Sequence, residues 1–306
     1  MFSNYYGSFC RVLLGVPHEI SFVHWRCLIG NLLLVLRNTF LSETKHSISH
    51  TNRNRFMKLL FSYILVIFVT LPILAQNPDV KFAGELRKIM LDADLSTKIR
   101  LDTIPRQNLF AIGVVDSLQG EICIINGKAL VSSIKDTYIK TDTSMNHGAS
   151  MLVYAYVKNW KIVTIEQDVN GLEELELLVK RLASENGIDA TRPFPFMAKT
   201  WIKNMSYQVI DWQSGVIHTS DTHSQFAHEL WHSASTVMLA GFYSENHKGI
   251  YTNYDSKINV HAITSDPMTA GHLETIETFG KIAIYFPDNN VLSKSVAVEA
   301  LKLQEY

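Results

Sequence analysis

Ile258-Asn259-Val260-His261-Ala262-Ile263-Thr264 and, after Ser265–Ala270, Gly271-His272-Leu273-Glu274 form the stretch that decides the fold. Both runs read as half-buried strands, close enough in sequence to be the arms of one hairpin. With Ser265–Ala270 as the loop, Thr264 pairs with Gly271, Ile263 faces His272 and His261 faces Glu274. Alternation then places Asn259, His261, His272 and Glu274 on one sheet face, with His272 diagonal to His261. Two imidazoles, an amide and a carboxylate within diagonal reach suit a divalent ion; they suit equally well hydrogen-bonded histidines inside a barrel. On the residues alone both stay open.

Outward from this hairpin the chain reads as short strands with polar turns. Toward its C-terminal end these are Phe196–Ile202, Tyr207–Trp212, Val237–Tyr243, Gly271–Glu277 and Lys281–Phe286, a spacing that suggests a closed or sandwiched antiparallel sheet. Earlier, Leu109–Val115 and Glu121–Ile125 read as strands, and Asn126-Gly127 before Lys128–Ser132 is a two-residue hairpin signal. Met151–Val157 is a further apolar run. Helices are expected near Phe82–Met90 and at Leu172–Leu182, where Leu172, Leu175, Leu178, Val179 and Leu182 recur at helical spacing. The fold class is therefore α+β and strand-dominated, a mixed sheet with helices followed by an antiparallel barrel-like sheet. We divide it into an N-terminal α+β part at 76–190 and a C-terminal β part at 191–306.

Composition is that of an ordinary globular chain. The 306 residues are 47% apolar and 19% charged, with a formal net charge of −1, which excludes a disordered tail and a general basic field for nucleic acid. The basic excess is confined to residues 1–56, where six Lys and Arg meet two Glu. Met57-Lys58, the apolar run Leu59–Leu74 with Pro72, and Ala75-Gln76 have the layout of a secretory signal at 57–75. An uncleaved anchor is the competing reading. Residues 1–56 then form an upstream extension outside the fold, the location is periplasmic or extracellular, and the only membrane contact is through the export signal. Cys123 is left alone in the mature chain, within a β-rich run, where a buried small hydrophobe is expected.

A second histidine cluster, His228-Glu229-Leu230-Trp231-His232, is a literal H-E-x-x-H. On a helix its two histidines share a zinc with Glu229 as general base, the arrangement of a zinc peptidase. Such a helix would run from Phe226 to Val237. Ser233-Ala234-Ser235-Thr236 makes a poor helix interior, and a third ligand, Glu245 or His247, comes only by assumption.

From about Phe82 to Pro287 the chain resembles the alpha-acetolactate decarboxylase family. The matching pieces are Leu118-Gln119-Gly120-Glu121, Asn126-Gly127, Arg192-Pro193-Phe194, Gly241-Phe242 and, above all, Asn259 to His272. The resemblance implies a zinc site built from an H-x-H pair and a Gly-His, so His261 and His272 fall on the second and third ligands and Asn259 on the first. It implies Glu121 as the active-site carboxylate, acting as general acid/base. The family's active-site Arg aligns to Gln208, its Thr becomes Val114, and its second carboxylate has no match. The implied activity is metal-assisted decarboxylation of a small 2-hydroxy-3-oxo acid, acetolactate to acetoin; the alternative is a non-catalytic or altered-substrate relative. A homodimer is left open.

Overall fold

The computed structural model describes residues 77–288; the segments read as an upstream extension at 1–56 and as an export signal at 57–75, and the last residues of the chain, lie outside the described residues. Leu109–Val115 (β3) is buried at every position, as a continuous apolar run becomes when both faces of a central strand are covered. The first sheet runs, in spatial order, Lys81–Ala83 (β1), Gly148–Tyr156 (β7), β3, Glu121–Ile125 (β4), Lys128–Lys135 (β5) and Tyr138–Asp142 (β6), with Ile99–Arg100 (β2) also on β7. Asn126 and Gly127 carry φ of 49° and 74° between β4 and β5, the left-handed pair that a type I′ hairpin needs.

The second sheet is ordered Ile258–Ser265 (β11), Ala227–Tyr243 (β10), Phe194–Ile210 (β9), Met268–Pro287 (β12), Trp160–Glu166 (β8), and β11 also pairs with β12. That extra ladder closes β9, β10, β11 and β12 into a ring, the barrel-like part of an α+β, strand-dominated fold. Every strand ladder in both sheets is antiparallel. β8 joins the second sheet although it precedes residue 191.

The layers follow from which side chains each face buries. Leu175, Leu178, Val179 and Leu182 of the helix Leu172–Glu185 (α2) pack with Phe194, Tyr243 and Phe286 on the outer face of the second sheet. Each large aliphatic side chain buried there stabilises the fold by roughly 1.5–3 kcal/mol relative to exposure. Between the sheets, Phe110, Ile112, Cys123 and Val153 meet Met197, Ile210, Met238 and Phe242. Burial pushes the Cys123 thiol up to about 12, so it is packing rather than a nucleophile. The other face of the first sheet is covered by Leu101, Ile104 and Met145. Among the described residues no helix is long and apolar enough to cross a membrane.

Three local readings change. The helix expected near Phe82–Met90 is the strand β1 followed by Leu86–Asp92 (α1). The series of short strands is three long ones, because the polar stretches at 203–206, 233–236 and 278–281 continue β9, β10 and β12 instead of ending them. The H-E-x-x-H residues lie on β10, not on a helix. At about 3.3 Å per residue, His228 and His232 are roughly 13 Å apart along the strand, too far to share an ion. His228 instead stands 4.0 Å from Asp211. Glu245 is held by Lys180 at 2.7 Å and Lys257 at 2.6 Å, and His247 by Ser244. The peptidase arrangement is absent.

Candidate active site

The β11–β12 hairpin is tighter than its sequence suggests. Ser265 pairs with Met268 across Asp266-Pro267, so His261 pairs directly with His272, correcting the diagonal placement and the pairing of His261 with Glu274. A slip of two residues leaves every side chain on its face, which is why the two histidines still meet. Their ring centroids are 5.9 Å apart with planes at 88°. A buried hydroxyl chain braces the hairpin: Thr264 donates to the Pro267 carbonyl at 2.6 Å, and Thr269 lies 2.7 Å from both Thr264 and Tyr207. Small residues make the space. Ala240 is the partner of His261 on β10, and a Cβ on Gly271 would sit 2.6 Å from the Gln208 carbonyl oxygen. Glu274 sits at a break in the β12–β9 register, between Leu273 and Thr275. Its Oε1 is 3.8 Å from His272 Nε2.

Glu121 arrives from the other sheet. It pairs with Val114 on β3 and Ser132 on β5, and the Ala270 amide of β12 donates to Ser132 Oγ at 2.9 Å. This cross-sheet bond holds β4 and β5 against the histidine hairpin. Glu121 Oε2 lies 3.5 Å from His261 Nε2, with both side chains almost fully buried. The contact resembles an ion pair, but burial favours the neutral form of each partner. Desolvation pushes the Glu121 carboxyl well up, helped by the charge of Glu274 and opposed by the Ile210 amide. Desolvation pushes His261 well down, helped by His272 and opposed by the Ile122 carbonyl. His272 is lowered to about 4 by burial. Burial thus favours a protonated carboxyl beside neutral imidazoles.

These groups line one cavity of about 110 Å³ together with Gln208 and Asn259, and its lining contains no Lys or Arg. Gln208 is the β9 partner of His272, so three strands present Gln208, His272 and His261 side by side. All five residues singled out from sequence (Glu121, Gln208, Asn259, His261 and His272) are thus brought together. Among the polar lining residues that the sequence reading missed are Tyr251, Asn253 and His223, the last on the short helix Ser220–Gln225 (α3). Its segment has neither strand nor helix periodicity, and the Thr219-x-x-Thr222 capping pattern was the signal available.

The donor set can be tested against a divalent ion. Asn259 Nδ2 donates to the Tyr251 carbonyl at 2.7 Å, while Asn259 Oδ1 and His261 Nδ1 are buried without a hydrogen-bond partner. Two imidazoles and a partnerless amide oxygen suit such an ion in kind, with the amide the weakest donor. Among the described residues no three His, Cys, Asp or Glu side chains are grouped to hold a metal by themselves, so any such site depends on Asn259.

No protein-family model matches the chain, and no curated protein matches it in sequence. Solved structures do match. The alpha-acetolactate decarboxylase from Bacillus subtilis strain 168 aligns with a TM-score of 0.57 at 13% identity, over 68% of this chain and 85% of that one. The chain has the alpha-acetolactate decarboxylase fold. Acetolactate decarboxylase from Bacillus subtilis subspecies spizizenii gives 0.56 at 14% identity, over 68% and 86% of the two chains. A Staphylococcus aureus protein of unknown function similar to alpha-acetolactate decarboxylase gives 0.55 at 13%, over 69% and 86%. At such identities the fold is what is shared; the chemistry has to be argued from the side chains.

Proposed function

We propose that the chain is a carbon–carbon lyase that decarboxylates a small 2-hydroxy-3-oxo acid, 2-acetolactate to acetoin, in the cavity between the two sheets. The observation that carries this reading is the buried Glu121 carboxyl, 3.5 Å from His261 in a cavity sized for a small acid, where desolvation favours its protonated form. A 2-hydroxy-3-oxo acid loses CO₂ when the electrons of the breaking C–C bond flow toward the ketone oxygen, leaving an enediolate that must gain a proton on carbon. A carboxyl kept neutral by burial is a proton donor at neutral pH. Glu121 delivers its proton to that carbon and regains one from solvent, so each turnover releases CO₂ and consumes one proton. Neutral His261, 3.5 Å away, holds the carboxyl in place.

His261, His272 and Asn259 would hold the zinc, which when bound supplies a Lewis acid for the ketone oxygen. Gln208, beside His272, orients the substrate by hydrogen bonds without the charge that an Arg would bring. The neutral lining therefore supports slow turnover. Acetoin formation from acetolactate by the purified chain, with and without added zinc, tests the proposal. Turnover that rises with zinc and is lost in Glu121→Gln supports it. No acetoin under any condition, from a folded chain, leaves the altered-substrate or non-catalytic relative.

A further inference from the structure

We infer that His223, held by His218, is the residue that receives the carboxylate of a small acid in this cavity, through the N–H of its Nε2. The inference rests on the cavity being a site for such acids. An anion entering it meets no Lys or Arg, so among the side chains it must rely on neutral donors, each worth most where water is excluded.

His223 is built for this role by a chain of contacts. It closes the last turn of α3, whose N-terminus carries a reciprocal capping box between Thr219 and Thr222, and its amide donates to the Thr219 carbonyl at 2.8 Å. Its Nδ1 lies 2.9 Å from His218 Nε2. His218 is 7% exposed and packs on the Trp212 ring at 4.7 Å. Trp212 is itself tied to the strand leading into Glu121, its amide donating to the Leu118 carbonyl at 2.9 Å and its carbonyl accepting from Gln119 Nε2. The imidazole is thus referenced to the same segment that carries Glu121.

The proton in the His218–His223 bond decides what the cavity sees. His218 Nδ1 is buried and has no hydrogen-bond partner. A buried N–H without an acceptor is less tolerable than a bare acceptor atom, so His218 keeps its proton on Nε2 and donates it to His223 Nδ1. Neutral His223 then carries its own proton on Nε2, the polar atom left for the cavity. A fixed N–H donor in the cavity that Gln208 and His272 also line is suited to a carboxylate oxygen and gives nothing comparable to a neutral ketone.

The test is calorimetric binding of two probes to the purified, zinc-supplemented chain, with zinc content measured on the same samples. One probe is 2,3-dihydroxy-2-methylbutanoate, an acid whose ketone has become an alcohol so that it cannot decarboxylate; the other is neutral acetoin. His223→Phe is expected to weaken the acid about tenfold or more, the range for a hydrogen bond to a charged group, while leaving acetoin binding and zinc content unchanged. His223→Gln, which keeps a donor, should recover part of the loss, and His218→Phe should show a smaller loss of the same selectivity. Equal acid binding by wild type and His223→Phe would overturn the inference alone. Loss of zinc in His223→Phe would also overturn it, making His223 a metal ligand. If wild type binds neither probe, the cavity is not a site for such acids, and the proposed function fails with the inference.

Discussion

Glu121 and His261 belong to different sheets, yet Glu121 Oε2 and His261 Nε2 lie 3.5 Å apart in a region where both side chains are nearly excluded from solvent. The bond from the Ala270 amide to Ser132 Oγ fixes that approach, because Ser132 is the register neighbour of Glu121. Burial favours the uncharged form of each partner, and a neutral Glu121 is what the proposed proton donor requires.

Glu121→Gln preserves shape and neutrality but removes the transferable proton. Acetoin formation should fall by about 10²–10⁴, the range of general acid catalysis. Chemical denaturation should move by less than about 1 kcal/mol, since no buried charge is lost. A loss of stability matching the loss of activity would point to a structural role instead.

Burial of the histidines predicts a pH dependence of stability. His272 and His223 are each lowered from 6.5 to about 4, so the folded state binds fewer protons than the unfolded one between those values. Their contribution is complete above about pH 6.5 and is lost as pH falls toward 4, up to roughly 3 kcal/mol each before discounting partial exposure. The raised carboxyl of Glu121 has the opposite sign: its contribution is full below the unfolded value and fades as pH rises through the folded one. Thermal melts of the metal-free chain should show the midpoint dropping between pH 6.5 and 4, less steeply in His272→Asn. A midpoint independent of pH in that window would contradict the buried neutral imidazoles.

Asn259→His places a third imidazole beside His261 and His272. Zinc affinity, measured by competition with a chelator, should rise by at least about tenfold as an amide gives way to an imidazole. The Asn259–Tyr251 bond is lost in exchange, so the variant is expected to be slightly less stable without metal. Adding Gln208→Arg should raise turnover further by supplying a cation to the substrate.

Gly271→Ala should destabilise the fold by about 1–3 kcal/mol, because its Cβ would press on the Gln208 carbonyl at 2.6 Å and on the Tyr207 ring. By contrast His228→Ala, on the outer stretch of β10, should leave zinc content and acetoin formation unchanged.

Export is tested on the protein itself. A chain started at Met57 should be recovered outside the cytoplasm with Gln76 as its first residue, and mass spectrometry reading an intact N-terminus upstream of Gln76 would favour an anchor.

Much of this architecture is written in local residue patterns. β3 and β4 end where their apolar runs end, and Asn126-Gly127 turns as its composition demands. β9 and β12 each read as two short strands because polar residues such as Lys203-Asn204 and Thr278 break their apolar runs, and β10 reads as a strand only from Val237 because the H-E-x-x-H segment before it suggests a helix; paired in long ladders, all three stay extended. β6 and β8 went unread because much of each faces solvent and its polar residues mask the strand. The hairpin register was two residues out, since Asp266-Pro267 alone makes the turn, yet the face of Asn259, His261 and His272 survived. H-E-x-x-H failed because a spacing suited to a helix has no such meaning on a strand. His223 reaches the cavity only through long-range packing of the short polar helix α3, which its local capping pattern does not encode.

The most direct measurement is acetoin production from acetolactate by the purified chain, with and without zinc, alongside Glu121→Gln and the Asn259→His, Gln208→Arg double variant. The account predicts slow wild-type turnover that increases with zinc, a large further increase in the double variant, and loss in Glu121→Gln. Wild-type turnover that is unaffected by Glu121→Gln, or no acetoin from any folded variant, would contradict it.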